Sequence, residues 1–144
     1  MSVSMQIDIV SSDGEIFSGK AEMLYAQAAD GEVGVLPNHS PFLSSLIPGA
    51  VRVVNGDEEN HFYINSGIIE VQSNIVTILA ETAIRAADLD QAEAEMAKQR
   101  AQAAMVDAQT ETDIARAQIE LAEAVGQMQT ITKLRNRLRQ KGLA

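Results

Sequence analysis

Val3, Met5, Ile7 and Ile9 alternate with Ser4, Gln6 and Asp8 at the start of the chain, the period of a strand with one face buried. The turn signal Ser12-Asp13-Gly14 ends that run. Similar short runs follow from Glu22 to Ala28, Ala50 to Val54, His61 to Asn65, Ile68 to Gln72 and Ile75 to Ala80. Between them stand Asp30-Gly31, Pro48-Gly49, Asn55-Gly56, Ser66-Gly67 and Ser73-Asn74, all residue pairs that favour turns. Asn55-Gly56 fits a type I′ hairpin turn, because both residues accept positive φ. Many short strands at this spacing predict an antiparallel β-sandwich or flattened barrel whose sheets bury aliphatic faces against each other.

Near Ala86 the pattern changes. No proline follows Pro48, alanine becomes dense, and apolar residues return every three or four positions, the helical period. Asp88 is the predicted N-cap of a first helix, with Gln91 at capping-box spacing. That helix is expected to run to about Asp107. A turn over 107–112 leads to a second helix, capped by Thr110 or Thr112 and continuing almost to Gly142. The fold class is therefore α+β in two parts: a β-sandwich of residues 1–86 and an antiparallel two-helix hairpin of residues 87–144.

The helices differ in what they offer for packing. The second carries Ile114, Leu121, Val125, Met128, Ile131, Leu134 and Leu138, whereas the first has only Leu89, Met96, Met105 and Val106 as large apolar groups. A buried large aliphatic side chain stabilises by roughly 1.5–3 kcal/mol, against about 1–2 kcal/mol per residue for ordering the backbone. An alanine-dominated interface is thus expected to dock weakly, while alanine keeps each helix favourable by itself. The predicted hairpin can open and survive as two helices.

Composition sharpens this picture. Across 144 residues 46% are apolar but only 3% aromatic, so the core is aliphatic and serves one domain plus an appendage. The chain has no cysteine, which removes disulfide, thiolate and cysteine–zinc chemistry. No apolar run reaches the length of a membrane span, and MSVSMQIDIV has neither the basic nor the apolar region of a signal peptide. The net charge of -9 argues against nonspecific nucleic-acid binding but conceals a gradient. Residues 1–87 hold eleven acids and three bases, and residues 88–123 hold nine and three. Residues 124–144 hold no acid and five bases: Lys133, Arg135, Arg137, Arg139 and Lys141.

Candidate chemistry is sparse. His39 and His61 have no partner at metal-ligand spacing, and His61 reads as an exposed strand residue. Neither G-x-S-x-G nor a Walker phosphate loop occurs. Asp57-Glu58-Glu59 reads as a solvated hairpin tip. Two glycines and two prolines fix the shape of Gly31-Glu32-Val33-Gly34-Val35-Leu36-Pro37-Asn38-His39-Ser40-Pro41, either as a connection between sheets or as a binding surface. At the basic end, the helix dipole accounts for one or two cations at about 0.3–1 kcal/mol each. Arg135, Arg139 and Gly142 fall on one side of the helix, and Lys133, Arg137 and Lys141 on another. Five bases without a counter-acid favour a surface for an acidic partner over a merely solvated end.

Phe17-Ser18-Gly19, Gly31-Glu32-Val33-Gly34 running into Pro37-Asn38-His39-Ser40-Pro41, and Ser66-Gly67-Ile68-Ile69-Glu70-Val71 occur in that order. Val76-Thr77-Ile78-Leu79-Ala80-Glu81-Thr82-Ala83 and Leu89-Asp90-Gln91-Ala92-Glu93-Ala94 follow. Taken together, nearly the whole chain resembles the epsilon subunit family of the bacterial proton-translocating ATP synthase. The resemblance implies a sandwich of about ten strands followed by two helices, and a non-catalytic rotor subunit that binds gamma and the c-ring. It implies no cofactor and a peripheral location on the cytoplasmic face of the bacterial plasma membrane. In that family the helical part either folds against the sandwich or extends into the alpha/beta head and suppresses ATP hydrolysis. Carried over by position, Glu32, Val33 and Gly34 are expected c-ring contacts, Ser11 and His39 lie by the gamma surface, and the five terminal bases suit an acidic segment of the catalytic beta subunit. Several members bind ATP through (Ile/Leu)-Asp-x-x-Arg-Ala. Here Leu89, Asp90 and Ala94 match, but Glu93 replaces the arginine. A carboxylate beside phosphates repels them, so ATP binding by the isolated subunit is expected to be weak or absent. The alternative is a non-enzymatic adaptor with a ligand-binding sandwich, and the lack of tryptophan disfavours a sugar site.

Overall fold

The computed structural model describes residues 3–141, which include the end of the second helix at Gln140, close to the expected Gly142. Ten strands come first: β1 (Met5–Ser11), β2 (Gly14–Ala21), β3 (Met23–Ala28), β4 (Gly31–Val35), β5 (Phe42–Leu46), β6 (Gly49–Asn55), β7 (Glu58–Ile64), β8 (Gly67–Gln72), β9 (Ile75–Ala80) and β10 (Ala83–Arg85). They hydrogen-bond in the order β10-β7-β6-β3-β5-β8-β9-β1-β2, with β4 paired to β3 alone. Every pair is antiparallel except β1 with β9, where Ile7 aligns beside Val76 and Ile9 beside Ile78 in parallel. The antiparallel expectation therefore fails at that one joint, where the first strand meets a strand far along the chain.

The core is aliphatic. Met5, Ile7, Ile9, Leu24, Val51, Val53, Ile69, Val76 and Ile78 are all buried, each from the inward phase of its strand. Phe17 and Phe62 meet edge to face, with ring centroids 5.5 Å apart. Four strands escaped the sequence analysis. β2 has no clean alternation, β4 carries two glycines, β5 reads Phe-Leu-Ser-Ser-Leu, and β10 has three residues. The first half of the Gly31–Pro41 stretch is thus strand rather than loop. The β6–β7 hairpin turns at Gly56-Asp57, between paired Asn55 and Glu58. Gly56 has φ 63 while neither neighbour has positive φ, which is the type II′ pattern and not the expected I′.

A single 3-10 turn at Ala86–Asp88 leaves the sandwich, and Leu89 and Asp90 then run extended. Arg85 fixes the exit, donating to the Ile16 carbonyl at 2.8 Å and lying over the Phe62 ring. The N-cap of α1 (Gln91–Asp107) is Asp90, whose carboxylate accepts from the Glu93 backbone N–H at 3.2 Å. The expected cap, Asp88, lies inside the 3-10 turn instead. Thr110 caps α2 (Glu111–Gln140) and accepts from the Asp113 N–H at 3.1 Å. With 30 residues, α2 is about 45 Å long.

The helices dock through small side chains. Ala94 and Ala101 of α1, seven residues apart, and Ala117, Ala124, Gly126 and Thr130 of α2 are buried. The interface is alanine-dominated, as the sequence predicts, and none of the large apolar residues of the two helices is fully buried; Met96, Val106 and Ile114 are exposed. Small residues let helical backbones approach closely, so the long aliphatic groups are pushed to the rim.

Candidate functional site

The structure brings candidate residues together in three places. The first is the outer face of β5, β8, β9 and β1. Ile68 pairs with Leu79, Glu70 with Thr77 and Gln72 with Ile75 across β8 and β9, and Leu43 stands opposite Glu70 on β5. Leu43 is 69% exposed, Leu79 54%, Ile68 48% and Ile75 47%, so one sheet face presents exposed aliphatic groups, Ile68 beside Leu79 with Leu43 and Ile75 around the Glu70–Thr77 pair, the mark of an interaction surface. The sequence analysis did not find it. Its signal was the apolar residues on the outward phase of strands whose inward phase already filled the core.

Ser11 and His39 bracket this patch. Ser11 ends β1 beside Ala80, at one end of β9. His39 lies at the other end, where Asn38 and Asn74 join the post-β4 loop to the β8–β9 turn: the Asn38 N–H donates to the Asn74 side-chain oxygen, and the Asn74 amide donates back at 3.1 Å. The His39 ring stands edge-on to Phe42.

The second place is β4. Glu32, Val33 and Gly34 pair with Gln27, Ala26 and Tyr25 of β3. Because β4 hangs from β3 alone, its outer edge carries free backbone hydrogen-bonding groups. Glu32 accepts from the Gln27 amide at 2.8 Å and lies 3.6 Å from Lys133 Nζ of α2.

The third place is the contact of α2 with β6 and β7, and it corrects two expectations. Glu59 is not part of a solvated tip: its side chain is 7% exposed. His61 is not an exposed strand residue but is buried, 5% exposed. Glu59 sits 2.7 Å from Arg137 Nε, 3.1 Å from Arg52 Nη1 and 3.4 Å from His61 Nε2. Burial pulls the His61 pKa below its ordinary value; Glu59 opposes that shift, while Arg52, Arg137 and Lys133 add to it. Both imidazole nitrogens lack a hydrogen-bond partner.

Of the five terminal bases, four are engaged within the chain and two of them at this place. Arg137 and Lys141 both donate to the Asp57 carbonyl, Lys133 meets Glu32, and Arg135 donates to the Gln91 side chain of α1. Arg139 is exposed. The reason the hairpin tip was misread is physical: a charge run on its own strand gives no sign of cations arriving from nearly eighty residues away.

Further along α2, Gly126 lies against the start of β6. A Cβ there would stand 3.0 Å from Tyr63 Cε1, 3.1 Å from Gly49 N and 3.1 Å from the Pro48 carbonyl carbon. Thr130 Oγ1 donates back to the Gly126 carbonyl at 2.8 Å. Burial pushes the Tyr63 phenol pKa well up, with Glu123 adding to the shift. Burial also raises Glu123, followed by repulsion from Glu81 and Glu120.

The Leu89–Ala94 run spans the extended link and the first turn of α1. Asp90 spends its carboxylate on the helix cap, Glu93 is exposed, and Ala94 is fully buried. Among the described residues no group of three or more His, Cys, Asp or Glu side chains converges to hold a metal, and no helix is long and apolar enough to cross a membrane.

Comparison with known proteins agrees with this architecture. A family model described as ATP synthase, Delta/Epsilon chain, beta-sandwich domain matches residues 4–86. A second, ATP synthase, Delta/Epsilon chain, long alpha-helix domain, matches residues 87–132. The ATP synthase epsilon chain of Hydrogenovibrio crunogenus is 68% identical over 144 residues, covering 100% of both chains. That of Nitrosococcus oceani is 49% identical over 139 residues, 96% of this chain and 99% of the relative. Among solved structures, a chain of the Euglena gracilis mitochondrial ATP synthase (OSCP/F1/c-ring, rotational state 1) superposes with TM-score 0.77 at 18% identity, over 92% of this chain and 81% of that one. A chain of the Tetrahymena thermophila mitochondrial ATP synthase central stalk/c-ring gives TM-score 0.61 at 15% identity, over 92% and 97%. At such identities the structural likeness speaks to the fold, whereas the sequence matches extend over the whole molecule: the chain belongs to the ATP synthase epsilon chain family.

Proposed function

We propose that this chain is a non-catalytic central-stalk subunit of the proton-translocating ATP synthase, coupling gamma to the c-ring and restraining ATP hydrolysis through its helical arm. It divides into a rotor-binding unit of residues 1–86 and a regulatory unit of residues 87–144. The aliphatic patch of Leu43, Ile68, Ile75 and Leu79, bracketed by Ser11 and His39, is the gamma surface, and it is the observation that carries the reading. A monomer rarely leaves four large aliphatic groups together on one sheet face without a partner to cover them. The free edge of β4, with Glu32, Val33 and Gly34, faces the c-ring. Lys133, Arg135, Arg137, Arg139 and Lys141 contact alpha and beta when the arm extends. The subunit sits peripherally at the cytoplasmic face of the bacterial plasma membrane.

ATP binds the isolated subunit weakly or not at all, because Glu93 places a carboxylate at the position where the family motif has arginine and Asp90 is occupied as a cap. Inhibition is then steric: an arm of about 45 Å fills space that the rotating head must clear. Complexes whose subunit ends at Leu89, which keeps the Arg85 anchor, should assemble and hydrolyse ATP faster than intact complexes. Unchanged hydrolysis in assembled complexes would refute the inhibitory role.

A further inference from the structure

We propose that Glu59 is a buried receptor on the sandwich for the basic end of α2, and that the ion pair it makes with Arg137 is the latch holding the arm in its docked state. The groove between sandwich and arm has a volume of about 450 Å³ and is lined by Glu32, Glu59, Lys133 and Arg137 among others. At its floor the Glu59 carboxylate uses both oxygens: Oε1 faces Arg52 at 3.1 Å and Oε2 faces Arg137 at 2.7 Å. Arg52 belongs to the sandwich and is held by its own neighbours, with its guanidinium 4.4 Å from the Tyr25 ring centroid. It remains with Glu59 whether or not the arm is docked. Arg137 is the cation that arrives, and its side chain reaches the Asp57 carbonyl at 3.3 Å as it does so.

Burial separates this contact from the others at the same end. Glu59 is 7% exposed, whereas Lys133 and Glu32 of the neighbouring pair are 35% and 45% exposed. Exposed pairs gain little and are screened by salt. Removing Arg137, itself 27% exposed, leaves the poorly solvated Glu59 with Arg52 alone, a larger loss than breaking an exposed pair. The latch has a place to store its opening, too. Leu89 and Asp90 form the extended link between sandwich and arm, so the arm can leave without unfolding either helix. Arg137 cannot serve Glu59 and an external acid together. The sandwich therefore competes for the bases that the arm offers to alpha and beta. The latch is a property of the isolated chain, and only this last consequence rests on the rotor reading.

The natural absence of cysteine allows a spin-label pair at exposed Asp30 and Gln118, with the distance distribution read by pulsed electron resonance in the full-length chain. Glu59→Gln and Arg137→Met should each shift the ratio of docked to undocked arm by about tenfold or more, while Lys133→Gln shifts it less, by roughly twofold. Arg137→Met is the safeguard against misfolding, because it leaves every sandwich residue in place. A distribution unchanged in both Glu59→Gln and Arg137→Met would overturn the latch, as would Lys133→Gln opening the arm more than either. In reconstituted complexes Glu59→Gln frees an arm that retains all five bases, and hydrolysis should fall severalfold. If the distances open in the isolated chain while hydrolysis stays unchanged, the latch stands and the inhibitory reading fails.

Discussion

Replacing Gly126 with alanine tests how the arm docks. On an exposed helix this change stabilises by about 1 kcal/mol, because glycine has the greater backbone entropy to lose. Here the gain falls equally on docked and undocked arm if α2 remains helical in both, so it cancels from the docking equilibrium. What does not cancel is the added methyl, which stands 3.0 Å from Tyr63 Cε1 and 3.1 Å from Gly49 N and the Pro48 carbonyl carbon. Ordinary carbon contacts lie near 3.5–4.0 Å. Two of the three neighbours are backbone atoms at the start of a core strand, and the third belongs to a tyrosine that is 1% exposed, so relief must come from α2 moving outward. Overpacking of this kind costs about 1–3 kcal/mol, a fall of roughly fivefold to 150-fold in the ratio of docked to undocked arm. Amide hydrogen exchange reads the result residue by residue. Protection of β6 and β7 backbone amides, Tyr63 included, should be retained, that of α2 amides around Gly126 reduced, and overall helix content unchanged or slightly raised. A docked population equal to or above that of the parent chain would refute the close-approach role of Gly126.

Two further outcomes follow from exposed and titrating groups. Leu79→Glu, at a site 54% exposed, should leave the sandwich folded but abolish co-purification with gamma; retained association would remove the aliphatic patch from the interface. His61 and Glu123 should give thermal stability opposite pH limbs. The lowered imidazole pKa contributes stability above the ordinary histidine value of about 6.5 that is lost as pH falls through the folded value. The raised Glu123 pKa contributes stability below the ordinary glutamate range that is lost as pH rises through its folded value. His61→Gln should flatten the loss on falling pH and Glu123→Gln the loss as pH rises past the ordinary glutamate range, and losses that persist in those variants would assign them to other groups.

Much of the β fold was legible because alternation reports burial directly. Strands β1, β3, β6, β8 and β9 were each found within one or two residues of their ends, β1 from its alternation and the others from short apolar runs between turn signals. The strands that were missed lack either signal. Gly31 and Gly34 in β4 have no side chain to classify, and Ser44-Ser45 in β5 blurs inside and outside. Pairing was not legible at all: nothing in Ile7 or Val76 tells that they lie side by side in parallel. In the helices the alanine-dominated interface was legible, but not which small residues make it: Ala117, Ala124 and Gly126 are buried while Ile114 is exposed. A small residue looks featureless in a sequence and becomes decisive only once a neighbour's backbone is known to lie beside it.

Charge was legible as segregation and illegible as address. An acidic first part and a basic end are plain from counting, and they pointed outward to an acidic partner. The structure supplies acids much nearer: Glu59 and Glu32, both on the sandwich, and the Asp57 carbonyl at the head of the same hairpin. Charge in a sequence has sign but no direction, so it cannot say whether the complement lies within the chain or beyond it. For a movable arm the two are not exclusive, and the depth of Glu59 decides between them energetically. A base leaving a 7% exposed carboxylate abandons an interaction that solvent screens poorly, and an external acidic segment must offer comparable desolvated contact before extension becomes favourable. Rim pairs such as Lys133 with Glu32 set no such threshold. The height of the barrier to extension is thus written in one buried acid on β7, a residue whose flanking acids made it look the least structured part of the chain.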